Sequence, residues 1–110
     1  MGSQYLGELE QMILLAVLRL GPDAYGWSVA EELGRVVGRQ VSSGALYTTI
    51  DRLTKKGLLE SNVKDASPER GGRPRRYLTV TPAGMAGLES GREAMLALWD
   101  GVEGLIEGTR

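Results

Sequence analysis

VSSGALYTTIDRLTKKGLLESNVKDASPERGGRPRRYLTVT, residues 41–81, is the stretch whose reading decides the fold. Leu46, Ile50 and Leu53 recur at i, i+4 and i+7, one apolar stripe on a helix that begins near Ser42 or Ser43. Either serine can cap that helix, and Gly57 ends it. Leu59 to Asp65 and Arg75 to Thr81 each fit a strand, with Ser67, Pro68, Gly71, Gly72 and Pro74 breaking structure between them. The stretch predicts a helix followed by a β-hairpin with an arginine-rich tip.

The side of the helix away from the apolar stripe carries Ala45, Thr48, Thr49 and Arg52, spaced i, i+3, i+4 and i+7, with Lys55 and Lys56 one turn beyond. A small, polar and cationic stripe suits a helix entering the DNA major groove: short side chains let the backbone come close, while hydroxyls and arginine reach base edges. Ser42 and Ser43 fit the same approach, because free N–H groups at a helix start bind phosphate. Arg70, Arg73, Arg75 and Arg76 make the hairpin tip a cationic finger that a minor groove or phosphate backbone attracts.

Bulk properties narrow the choices. At 110 residues the chain is one compact domain with a modest core. With 42% hydrophobic and 25% charged residues it is not a disordered chain. The longest apolar run, Met12 to Leu18, falls far short of the roughly 20 residues that span a membrane. Cysteine and histidine are both absent, which removes thiolate and imidazole metal sites, disulfides and Ser/His/Asp triads together. Neither a phosphate loop nor a convergent carboxylate pair remains, so no enzyme, cofactor or metal is expected. The MGSQYL start lacks a signal-peptide pattern, and a cytoplasmic location is expected.

The net charge of −1 conceals a division. Arg35 to Arg76 holds ten Lys/Arg against four Asp/Glu, a net of +6, and the remainder holds three against ten, a net of −7. Segregation of this kind favours a polyanion on one surface.

Before the deciding stretch, Tyr5 to Leu20 reads as a helix with Leu6, Leu9, Ile13, Ala16, Val17 and Leu20 on one face and Met12, Leu14, Leu15 and Leu18 on others. A helix apolar all round needs two partners, and in a chain this small the second is expected to be another subunit. Ala24 to Val37 reads as the positioning helix of a helix-turn-helix, burying Val29, Ala30, Leu33, Val36 and Val37 and exposing Glu31 and Glu32. Trp27 falls beside its apolar stripe, covering the core's edge or contacting a ligand or partner.

After the hairpin, Thr81-Pro82 is a strong helix start. Leu88, Met95 and Val102 recur every seven residues, as do Gly91, Leu98 and Leu105, which predicts one long helix with a dimerisation seam widened by Trp99 and Ile106. Gly91 would permit close backbone approach. The expected architecture is mostly α with a small β-hairpin: a winged helix-turn-helix over residues 1–81 and a long C-terminal dimerisation helix over 82–110. Leu15, Leu18, Leu88, Met95, Leu98, Trp99, Val102 and Leu105 are the expected interface.

AYGWSVAEEL, SSGALYTTIDRLTKKGLL and GGRPRRYLTVTPAG together resemble the PadR-like winged-helix transcriptional regulators, in the compact subfamily with a single C-terminal helix. The resemblance implies double-stranded DNA and a second copy of the chain as partners, and a C-terminal helix packed on the partner's N-terminal helix. It associates Tyr47 with DNA-backbone contact, beside which a tyrosine packed between helix and wing is a compatible reading. It also implies a small hydrophobic or aromatic effector near the dimer interface, where Trp99 either fills the dimer core, the heavier reading, or lines a cavity. The leading expectation is a homodimeric repressor on a palindromic operator; the alternative is a winged-helix protein-interaction module, against which the segregated basic surface argues.

Overall fold

The structure is a computed structural model in which residues 5–64 and 74–107 are described. The order is α1 (Glu8–Leu20), a 3-10 turn (Gly21–Asp23), α2 (Gly26–Val37), α3 (Ser43–Lys55), β1 (Leu59–Lys64), β2 (Arg75–Val80), α4 (Pro82–Trp99) and α5 (Glu103–Glu107). The chain is mostly helical with one two-stranded antiparallel hairpin, the winged-helix arrangement the sequence predicts.

A single core draws on every layer. Ile13, Leu14 and Val17 of α1 meet Val29 and Leu33 of α2, Leu46, Ile50 and Leu53 of α3, Leu59 and Leu78 of the hairpin, and Leu88 of α4. The predicted inward stripe of α3 is therefore its buried one. The Ser42 hydroxyl caps α3 by accepting the Ala45 N–H at 3.2 Å. Gly57, at φ 76°, turns the chain out of the helix, and the Leu58 N–H donates to the Leu53 carbonyl at 2.9 Å.

The wing is fastened at its root. Leu59 lies opposite Val80 and Lys64 opposite Arg75. The Leu78 N–H donates to the Ala24 carbonyl at 2.9 Å, and Tyr25 bridges Tyr77, so residues 24 and 25 act as a short third strand. That pairing is why α2 begins at Gly26 rather than at Ala24. Thr81 is buried and fixes the other end of the hairpin: its hydroxyl donates to the Gly57 carbonyl at 2.7 Å and accepts the Gly84 N–H at 3.0 Å.

Other expectations are corrected. Helix α1 starts at Glu8, since Gly7 is its extended N-cap residue. Val36 and Val37, expected in the core, are 45% and 55% exposed, because they line a groove with Met12 and Leu15 of α1 that none of the described residues fills. Glu32 is no free surface charge; its side chain, 11% accessible, binds Arg19 at 2.7 Å and Arg35 at 2.9 Å.

The C-terminal helix is not continuous. It stops at Trp99, turns through Asp100 and Gly101 (φ 81°), and resumes as α5. Asp-Gly is a turn-forming pair that breaks the seven-residue repeat, so Val102 and Leu105 leave the predicted seam. Leu88 is buried in its own protomer and is not available to a partner. The close approach at Gly91 is also internal. A Cβ there would stand 3.1 Å from Gln11 Oε1, and one at Gly87 would stand 3.3 Å from Leu6 Cδ1, so these glycines seat α4 on α1 and on the residues just before it in the same chain. Among the described residues no helix is long and apolar enough to cross a membrane.

Candidate nucleic-acid interface

Helix α3 presents a face that the rest of the protomer leaves open. Gly44, Thr48, Asp51 and Lys55, spaced i, i+4, i+7 and i+11, are all exposed, with Ala45 and Arg52 exposed on one flank and Tyr47 on the other. Thr48, Asp51, Arg52, Lys55 and Lys56 line a shallow hollow of about 430 Å³. Ser42 and Ser43 stand exposed at the helix start.

Thr49 does not belong to this face. It is 5% exposed, and its hydroxyl donates to the Ala45 carbonyl at 2.7 Å. A helix turns by roughly 100° per residue, which carries Thr49 from the outer stripe to the inward one, beside Leu46 and Leu53. The sequence reading placed the stripe off centre, and so it missed Gly44 and Asp51. The signal was available, since the direction opposite Leu46, Ile50 and Leu53 falls on Thr48, Asp51 and Lys55.

Several cations of the basic stretch are already engaged. Lys56 Nζ lies 2.8 Å from Glu10 Oε2, and Arg39 lies 2.8 Å from a carboxylate oxygen of Glu8. Among the described residues Arg52, Lys55 and Arg76 have no ion-pair partner. Lys56, predicted to serve beside Lys55, ties the end of α3 to α1 in the protomer. Lys55→Gln should make the slope of log affinity against log salt on random duplex DNA about 0.9 shallower, the share of one phosphate contact. Lys56→Gln should leave that slope as it is. A fluorescence-anisotropy titration at several salt concentrations distinguishes them, and equal changes would refute the division of labour.

Glu10 responds to pH through this contact. Burial pushes its carboxyl upward, but the bonds from Lys56 and the Gly7 N–H (2.9 Å), with the nearby Arg52 charge, outweigh burial and hold it below the ordinary 4.5. A depressed carboxyl contributes stability that is present above its unfolded-state value and lost as pH falls through its folded one. Wild type should therefore exceed Glu10→Gln in denaturation midpoint at neutral pH, with the gap closing below about pH 4.5. A gap that stays constant down to pH 3 would refute the coupling.

At the wing, Arg75 lies over the Tyr25 ring at 3.9 Å and Lys64 over the Tyr77 ring at 4.6 Å. Trp27 does not cover the core's edge. It is 60% exposed and stacks on Tyr25, with ring centroids 6.4 Å apart. Tyr47 leans across the start of α2, where a Cβ on Gly26 would lie 2.7 Å from Tyr47 Cζ; Gly26 gives the ring its room. Tyr47, Arg75 and Arg76 thus border one hollow between α2, α3 and the wing. Arg70 and Arg73 lie outside the described residues.

With this geometry the comparisons are direct. The model of the Transcriptional regulator PadR-like family matches residues 14–90, which covers α2, α3, the hairpin and the first half of α4. This chain belongs to the PadR-like family of transcriptional regulators. It is 40% identical over 73 residues to the transcriptional regulator Rv3488 of Mycobacterium tuberculosis, a match that spans 66% of this chain and 64% of that protein. Among solved structures it resembles a PadR-like transcriptional regulator from Bacillus cereus, with a TM-score of 0.71 and 26% identity, covering 89% of this chain and 90% of that one. It also resembles a PadR family transcriptional regulator from Eggerthella lenta, with a TM-score of 0.68 and 29% identity over 91% and 87% of the two chains.

For a PadR-like chain the C-terminal arm is notable for what it leaves uncovered. From Arg92 to Ile106 every residue but Ala94 is exposed. Met95, Leu98, Trp99, Val102 and Ile106 surround a hollow of about 270 Å³ at the junction of α4 and α5. On the body of the protomer, Met12, Leu15, Leu33, Val36 and Val37 line a second, largely apolar groove of about 290 Å³ between α1 and α2. Leu15 and Leu18 are 49% and 42% exposed.

Proposed function

We propose that this regulator is a homodimeric DNA-binding repressor that places two α3 helices in successive major grooves of a palindromic operator, with the wings along the flanking backbone. The carrying observation is the open face of α3, a capped helix whose Arg52 and Lys55 are unpaired among the described residues, none of which packs over that face. Ser42, Ser43, Ala45 and Thr48 bring the backbone close, and Arg76 with the Tyr47 hydroxyl lies where the wing meets phosphate. Repression follows from occupancy of the operator.

Two uncovered apolar surfaces support the dimer: in a two-fold pair the arm at Met95, Leu98 and Trp99 of one copy would cover the groove at Met12, Leu15 and Val36 of the other. Trp99 borders the hollow in the arm, and a small hydrophobic or aromatic effector held there would shift the spacing of the two α3 helices.

The test is titration of a random-sequence duplex by anisotropy across salt. The reading expects affinity that falls steeply and linearly in log salt. Salt-independent or absent binding would refute it in favour of a protein-interaction module.

A further inference from the structure

The open face of α3 carries one group that a DNA-facing surface ordinarily avoids. Asp51 is exposed at the middle of that face and borders the hollow it shares with Thr48, Arg52 and Lys55. Among the described residues its carboxylate has neither a hydrogen bond nor an ion pair, although Lys55 stands one turn on and Arg52 next to it. The described residues therefore make no use of this charge. Against a phosphate backbone it is repelled, and it weakens binding to every sequence unless it meets a donor.

Base edges supply donors selectively. A carboxylate only accepts hydrogen bonds. In the major groove guanine and thymine present acceptors, and adenine sets its N6 amino group beside the N7 acceptor, which repels a carboxylate; cytosine presents its N4 amino group with no acceptor next to it on the same base. An aspartate is short, so reaching that edge requires the helix to lie deep.

Gly44 stands on the same line two turns earlier. Its φ is not positive, and a Cβ there would meet nothing within 4 Å, so neither backbone geometry nor packing in the protomer calls for glycine. The missing side chain opens the first turn to close approach by DNA. We infer that Asp51 is a specificity-determining residue that accepts a hydrogen bond from a cytosine N4 amino group, once in each half-site, with Gly44 letting α3 sit deep enough for it. This rests on the DNA-binding function proposed above.

The experiment selects bound sites from a random duplex pool with the full-length wild type, Asp51→Ala and Asp51→Asn, and measures the affinity of each for one fixed random-sequence duplex. Wild type should prefer cytosine about tenfold at one position of each half-site. Asp51→Ala should lose preference at that position alone while binding the random duplex more tightly. Asp51→Asn should move the preference to adenine, because an amide accepts from N6 and donates to N7. Identical selected sites for all three proteins, or loosening at every position alike, would overturn the assignment and leave DNA binding standing. A wild type that binds no duplex overturns both.

Discussion

Leu98→Glu should convert the protein to a monomer and weaken operator binding by about 10²- to 10⁴-fold. Leu98 is 75% exposed in the protomer, so the change touches nothing in its core and the domain should keep its fold. In the proposed dimer the same position is covered. A two-fold interface places the carboxylate twice, each in an apolar setting among Met95, Trp99 and the partner's α1–α2 groove, whose one lining cation, Arg19, is already held by Glu32. Losing the dimer costs more than contact area. Two tethered α3 helices bind a second half-site at the high effective concentration set by the first, whereas separate monomers bind each from free solution. Sedimentation velocity with and without operator DNA, beside far-UV circular dichroism, reads both parts. A Leu98→Glu protein that stays dimeric would remove the C-terminal arm from the interface.

Leu53→Ala should destabilise the chain by about 2–5 kcal/mol. Leu53 is fully buried in the last turn of α3, with Leu14, Ile50 and Leu59 in the same core. Truncation removes its transfer free energy and leaves a cavity that helices on several sides prevent from closing. Against a typical total of about 5–15 kcal/mol for a domain, the loss is a large fraction. It also loosens the end of α3 that Lys56 and Glu10 pin to α1, so DNA binding should fall with stability. Five residues earlier, on the opposite face, Ala in place of exposed Thr48 should stay within about 0.5 kcal/mol of wild type. Urea denaturation of both variants is the check, and a Leu53→Ala change under 1 kcal/mol would contradict the packing described.

The architecture was legible because its signals were local and strong. Leu46, Ile50 and Leu53 at helical spacing, the serine cap, the strands around a Gly- and Pro-rich turn, and Thr81-Pro82 each predicted the element found. What escaped the sequence were features set by partners distant in the chain. Tyr25 pairs with Tyr77 across more than fifty positions of sequence, and nothing near Ala24 signals that its carbonyl receives a wing N–H. The ion pair of Lys56 was hidden because Glu10, its partner, lies on another helix. Val36 and Val37 satisfied an amphipathic pattern but face the groove between α1 and α2, which none of the described residues fills. At Asp100-Gly101 two local signals competed, and the turn pair prevailed over the heptad where the end of α4 is left exposed by the described residues. On α3 the error was angular: Thr49 and Asp51 exchange places when the stripe is centred on the observed core.

The central claim is that two copies of α3 read a symmetric site together. Its most direct test determines the stoichiometry and symmetry of the complex in one preparation: select binding sites from random duplex DNA with the full-length protein, then measure the mass of the complex on the enriched duplex by sedimentation equilibrium. The account predicts two protomers per duplex and inverted half-sites centred about 10 base pairs apart, one turn of DNA. An asymmetric selected site, or one protomer bound per duplex at saturation, would contradict it.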